Sequence, residues 1–239
     1  MKLKLLFALA VSATLMQCAT TPKPKSLLVV AGGHRFDTLT FFSLFKDIEG
    51  FVVDTAMQPA ANQLIAQGKA DSYDAIVFYD SWRTIADDEK EGYRRLLSRG
   101  VGMVFMHHAL VSYQHWDEFP LIIGGKYKKP RFKGDTTNLS DFMHDIQMHV
   151  VCNPNHPITA SIPNFDIHDE GYMNIDILPS ITSILTTQHQ HCDSIIGWTH
   201  QVNRSRVVYL MPGHDRQGLT TPSYRKIIVN SIKWVSEKE

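Results

Sequence analysis

From Ser26 to Met106 the chain alternates short apolar runs with amphipathic ones, and this alternation constrains the fold more than any other feature. "SLLVVAGG" (26–33), "FVVDTAM" (51–57), "DAIVFYDSW" (74–82) and "VGMVFM" (101–106) are short runs dominated by apolar residues. Such strands read as buried on both faces, which a parallel sheet covered by helices requires. The intervening segments carry the helical period. In "FDTLTFFSLFKDIEG", Asp37 or Thr38 can cap a helix, and Phe41, Leu44, Phe45 and Ile48 fall on one face. "NQLIAQG" is a short helix ending at Gly68. "ADDEKEGYRRLLSRG" places Asp87, Asp88 and Glu89 in a first turn, and Arg94, Arg95 and Arg99 toward the end. These charges oppose the helix dipole at both ends, and Gly100 suits a left-handed cap. Tyr93, Leu96 and Leu97 form its buried stripe. The expectation is an α/β fold with helices on both faces of the sheet.

The second half has a different character. "DFMHDIQMHVV" alternates by twos, and "PNFDIHDEGYMNI" and "SITSILTT" read as further strands. "IIGWTHQVNRSRVVYLMPGHD" reads as a hairpin turning at Asn203 to Ser205. "TPSYRKIIVNSIKWV" closes the chain as a helix, with Pro222 in its first turn and Tyr224, Ile227, Ile228 and Ile232 facing inward. No internal repeat or linker divides residues 27–239, which read as one domain. Ahead of it, Lys2 and Lys4 precede the apolar stretch Leu5 to Met16, which is too short to span a membrane. Residues 1–18 read as a signal peptide and 19–26 as a linker. Cys18, directly after the apolar stretch, resembles a bacterial lipobox cysteine, although Gln17 replaces the small residue usual before it. Lipidation at Cys18 gives an outer-membrane-anchored protein whose only membrane contact is the lipid. Plain cleavage gives a free periplasmic one. Either way the protein is exported, which permits a bridge between Cys152 and Cys192. Two buried free thiols are the simpler reading.

Ligands of open α/β sheets bind beyond the carboxyl ends of the strands. His34 follows the first strand, Asp80 ends the third, and His107 and His108 end the fourth, so all four point to one edge. Neighbours at a strand tip diverge, so one of the two adjacent histidines should face the site. "HDEGY" adds His168, Asp169, Glu170 and Tyr172, and "MPGHD" adds His214 and Asp215, the latter placed to orient an imidazole. Alternation puts Asp169 opposite His168 and Glu170. His144 and His149 fall on opposite faces, so at most one reaches the site. His156 reads as structural and "QHQHC" as a solvated turn. Trp116 and Trp198 can stack on a sugar ring or fill the core. Lys plus Arg equals Asp plus Glu at 24 each, and no basic stripe occurs, which argues against a nucleic-acid partner. The G-x-G-x-x-G fingerprint is absent, so no nucleotide cofactor is expected.

The pieces "VAGGHRFD", "GVGMVFMHHAL", "WDEFPLIIGGKY", "NPNHPIT", "FDIHDEGY" and "GWTHQVNRSRVVYLMPGHD", in that order and ahead of the closing helix, resemble the ThuA-like family, named after a trehalose-utilisation protein. The resemblance implies a flavodoxin-like, three-layer sandwich related to class I glutamine amidotransferases, with a mainly parallel sheet and added β-hairpin elements, and a role in carbohydrate metabolism. Those amidotransferases carry a cysteine nucleophile on a strand-to-helix elbow. The equivalent turn here, "FMHHAL", holds no Cys, Ser or Thr, which argues against cysteine-based amide hydrolysis. His107 best fits the elbow position. The expected cleft joins His107 with His34, Glu170 and His214, a donor set suited to a divalent metal such as Zn²⁺. Without a metal, His107, Asp169, Glu170 and His214 form an acid–base site. His34, Asp80, His108, Trp116, Tyr172, Trp198 and Asp215 are the expected substrate-binding residues, with His108 packed beneath the site. The ligand is a sugar or an oxidised disaccharide. Two functions remain open: a hydrolase, lyase or isomerase acting on it, and a non-catalytic carbohydrate-binding protein.

Overall fold

A computed structural model describes residues 23–130, 134 and 136–237. The leader and Cys18 lie outside the described residues. Among those described, no helix is long and apolar enough to cross a membrane. The first half alternates as the sequence predicts: β1 (Lys25–Gly32), α1 (Thr38–Ser43), β2 (Phe51–Met57), α2 (Ala60–Ala66), β3 (Ala75–Asp80), α3 (Asp87–Arg99) and β4 (Gly102–Met106). A 3₁₀ turn follows at His107–Val111, then α4 (Phe119–Ile123) and β5 (Gly125–Lys126). The second half contributes β6 (Asp141–Cys152), β7 (Phe165–Met173), β8 (Asp176–Ile177), β9 (Thr182–Thr186), β10 (Ile195–Val202), β11 (Ser205–Leu210), α5 (Arg216–Thr220) and α6 (Pro222–Val235).

The main sheet runs β2-β1-β3-β4-β11-β10-β9-β6-β7. Its first five strands are parallel and the rest antiparallel. Every residue of β3 and β4 is buried, as their unbroken apolar sequence requires. Phe78 stacks on Tyr93 of α3, whereas the next residue, Tyr79, stacks on Phe41 of α1. Successive side chains of β3 therefore serve opposite faces, and the three-layer sandwich follows. Asp37 caps α1 by accepting from Thr40 N at 3.0 Å. Gly100 ends α3 in the left-handed region at φ 76°.

Two features position the site. Gly33 has φ 81°, and a Cβ there would lie 2.3 Å from the Ser81 carbonyl oxygen. Only glycine lets the ends of β1 and β3 approach this closely. In addition, β6 joins the sheet only through Val151 and Cys152. Along most of its length β6 is paired instead with β7, forming a ribbon that reaches the carboxyl edge of the parallel strands.

Candidate functional site

The tip of β4 does not continue as a strand. His107 has φ 44°, in the left-handed region that non-glycine residues rarely occupy. Such strain concentrates at functional positions. This corrects the expectation that the two histidines diverge. Alternation holds only for extended backbone, and the 3₁₀ turn aims both rings the same way. One donor atom each from His107, His108, Glu170 and His214 lies within 4.8 Å of all the others.

Each member is held in place. His107 Nδ1 lies 2.5 Å from the Met211 carbonyl oxygen, so this nitrogen must donate and Nε2 must carry the lone pair. That Nε2 is 3.1 Å from His214 Nδ1, 3.2 Å from the Tyr172 hydroxyl and 3.3 Å from Glu170 Oε1. Tyr172 also stacks on the His107 ring with centroids 5.0 Å apart. Tyr172 thus supports an imidazole and presents no exposed face to a ligand. Glu170 Oε2 lies 2.6 Å from His144 Nδ1 and 3.4 Å from His214 Nδ1. Burial opposes ionisation of Glu170. The nearby rings of His107, His214 and His144 nevertheless hold its carboxyl below the ordinary value. Burial lowers the pKa of His108, and the neighbouring histidines lower it further. His214 is lowered by burial and then by His107, and burial brings His34 down to about 4. His34, His108 and His214 are thereby biased toward the neutral form beside one carboxylate.

Asp169 and Glu170 divide the work by alternation along β7. Asp169 Oδ2 accepts from Gly213 N at 2.7 Å, and its Oδ1 from His214 N at 2.9 Å and Glu170 N at 2.8 Å. Both of its oxygens are committed to the backbone that carries His214. Asp169, expected as a proton-transfer group, is placed as a support for that backbone. Burial also raises the Asp169 pKa.

Other expected residues stand elsewhere. His34 is one ring further out, tilted against His108 with centroids 4.2 Å apart, and is not among the four clustered donors. His108, expected to pack beneath the site, takes that place. Asp80 is buried against Gln58, whose Nε2 donates to it at 2.7 Å, and so does not face the cluster. Asp215 caps α5 through Gln217 N and Gly218 N, and among the described residues no hydrogen bond joins it to an imidazole. Trp116 packs among Tyr93, Tyr113 and Phe119. Trp198 is fully buried and donates Nε1 to the Ile123 carbonyl. Both indoles are core, so neither is a sugar platform. His149 pairs with Asp166, away from the site. His144 is the participant that the sequence did not single out. Cys152 and Cys192 are free thiols, and burial pushes them up to about 11 and about 12 respectively.

A metal fits this arrangement. A tetrahedral ion bound at about 2.1 Å sets its donors about 3.4 Å apart. His107 Nε2 lies 3.1 Å from His214 Nδ1 and 3.3 Å from Glu170 Oε1, and His214 Nδ1 lies 3.4 Å from the other oxygen of that carboxylate, Oε2. His108 Nδ1 is buried without a hydrogen-bond partner among the described residues, which is rare for a polar atom.

An α/β sandwich with a histidine-rich centre beyond the carboxyl ends of its parallel strands is thus the class of protein described. The chain belongs to the ThuA family (trehalose utilisation), whose family model matches residues 27–235, within the class I glutamine amidotransferase-like superfamily. It is similar to a ThuA-like protein from Parabacteroides merdae at 15% identity, covering 90% of each chain with a TM-score of 0.73. A ThuA-like protein from Bacteroides uniformis has 19% identity and a TM-score of 0.69, covering 93% of this chain and 95% of that one. A β-galactosidase from Bacillus circulans sp. alkalophilus matches at 8% identity and a TM-score of 0.59, covering 90% of this chain but 32% of that one. At these identities the likeness concerns the fold alone. No curated protein matches the sequence.

Proposed function

We propose that this chain is an exported sugar-processing enzyme whose centre is a divalent metal, such as Zn²⁺, held by His107, His108, Glu170 and His214. The family's link to carbohydrate use supports the substrate class. The Lys2/Lys4 start, the apolar stretch and Cys18 support export to the periplasm or the outer membrane. One observation carries the chemistry: three imidazoles and a carboxylate each offer a donor atom within 4.8 Å of all the others.

When bound, the metal supplies Lewis acidity toward a sugar carbonyl or hydroxyl oxygen. The protein does the rest. The Met211 carbonyl fixes the His107 tautomer so that its lone pair faces the centre. Asp169 holds the backbone of Gly213 and His214. His144 is half exposed and hydrogen-bonded to Glu170, so it can exchange a proton between the site and solvent. The elbow has no thiol, and Cys152 and Cys192 are poor thiolates, so cysteine-based amide hydrolysis is not part of this reading. With Trp116 and Trp198 in the core, the purely carbohydrate-binding alternative loses the two indoles the sequence suggested for it.

The test is turnover of unmodified and oxidised disaccharides by the parent, Glu170→Gln, His214→Ala and His144→Ala. Loss of a ligand should lower kcat/KM by a factor of 100 or more. Loss of His144 should lower kcat by about 10–100-fold while metal content is retained. Full activity in all three variants would contradict the reading.

A further inference from the structure

A second concave surface lies beside the histidine centre on the same edge. It is a cavity of about 740 Å³ between the segment after β3, the end of the 3₁₀ turn and the segment around β5. Arg83, Lys126, Lys128 and Lys129 line it, together with Asp117 and Asp176. Lys128 Nζ is already paired with Asp176 at 3.0 Å. Arg83, Lys126 and Lys129 remain against Asp117, so three cations less one carboxylate leave an excess of two positive charges. None of these three cations forms an ion pair among the described residues. Partial desolvation against the cavity wall holds the Lys129 ammonium below its ordinary value although the residue reaches the surface, and Arg83 lowers it further, so like charges are kept together at a cost. The whole chain has no net charge, so this excess is local.

The cavity and the histidine centre are joined. The 3₁₀ turn starts at His107 and ends at Val111, which lines the cavity.

We infer that this cavity is the anion-recognition half of the site, and that the substrate is a sugar bearing an oxyanion, carboxylate or phosphate, held by Arg83, Lys126 and Lys129. The cavity volume suits a small ligand. A guanidinium can grip a carboxylate or phosphate through two parallel hydrogen bonds, and the lysines add point charge. An excess of two charges matches a phosphate monoester or a carboxylate with one further anionic contact. The inference rests on the reading of the histidine centre as a sugar-processing site, and it makes the preferred sugar acidic.

Calorimetric titration of the purified protein with glucuronate, glucose 6-phosphate and glucose tests it, with metal content measured on the same samples. The parent should bind at least one acidic sugar ten or more times tighter than glucose, and the two acidic arms identify the oxyanion. Arg83→Gln/Lys129→Gln should reduce that preference to threefold or less with metal content unchanged. Both side chains are exposed, so the fold should survive, and an unchanged melting temperature checks this. A parent that does not prefer either acidic sugar, or a double variant that keeps the preference, overturns the inference. A parent without metal that still shows an Arg83- and Lys129-dependent preference overturns only the reading of the metal centre.

Discussion

Asp80 shows how a single buried carboxyl sets a pH dependence. It is 2% exposed at the tip of β3, and burial raises its pKa to about 6 against 3.8 in the unfolded chain, with the Gln58 hydrogen bond offsetting part of the rise. Below about pH 4 the group is protonated in both states. Between about pH 4 and 6 only the folded state keeps the proton, and above that range the folded protein holds a buried carboxylate. The stabilising contribution is therefore present at low pH and lost as pH rises through 6, by up to about 3 kcal/mol at 1.36 kcal/mol per unit. Asp80→Asn keeps an oxygen for Gln58 and removes the charge. It should be more stable than the parent by about 1–3 kcal/mol near pH 7.5, with the gap closing near pH 4. Denaturant unfolding at the two pH values measures this. A gap of equal size at both would show that the carboxylate is not the cause.

At the scale of elements, the packing of α2 against α3 sets two effects in opposition. Gly92 sits inside α3, where alanine would gain about 1 kcal/mol in helix propensity. A Cβ at Gly92, however, would lie 2.7 Å from Ile65 Cγ2 and 2.8 Å from the Ile65 carbonyl oxygen. Backbone cannot swing aside as a side-chain tip can, so the helices must separate. Gly92→Ala should lose about 1–3 kcal/mol net, seen as a lower melting temperature. A raised melting temperature would mean that propensity dominates.

Elements such as α3 were legible because charge, cap and apolar stripe agree in one short segment. The parallel strands were legible because burial on both faces leaves continuous apolar runs. The site was legible in part. Glu170 and His214 stood out as polar groups at strand positions or ends. Three features left no mark in composition. The 3₁₀ turn at His107 swings His108 into the centre, which alternation could not foresee. A register shift between Met143 and Ile146, with Asp145 at φ 55°, interrupts β6 and leaves His144 beside Glu170. Trp116 and Trp198 have the same chemistry in a core as on a sugar platform, so only packing separates those roles.

Across the whole molecule, the account joins three pieces at one edge: parallel strands that end in histidines, a β6–β7 ribbon that brings Glu170 to them, and a basic cavity alongside. If a metal holds these pieces together, it must also stabilise the fold, because an ion that binds only the native state shifts unfolding by RT ln(1 + [M]/Kd). The most direct measurement is a Zn²⁺ titration of metal-stripped protein, followed by calorimetry and by melting temperature. The parent should take up one equivalent and melt at progressively higher temperature as free metal rises. Glu170→Gln/His214→Ala should bind at least a hundredfold more weakly and show no such rise. A parent that binds no more metal than this double variant, with a melting temperature indifferent to metal, would contradict the account at its centre.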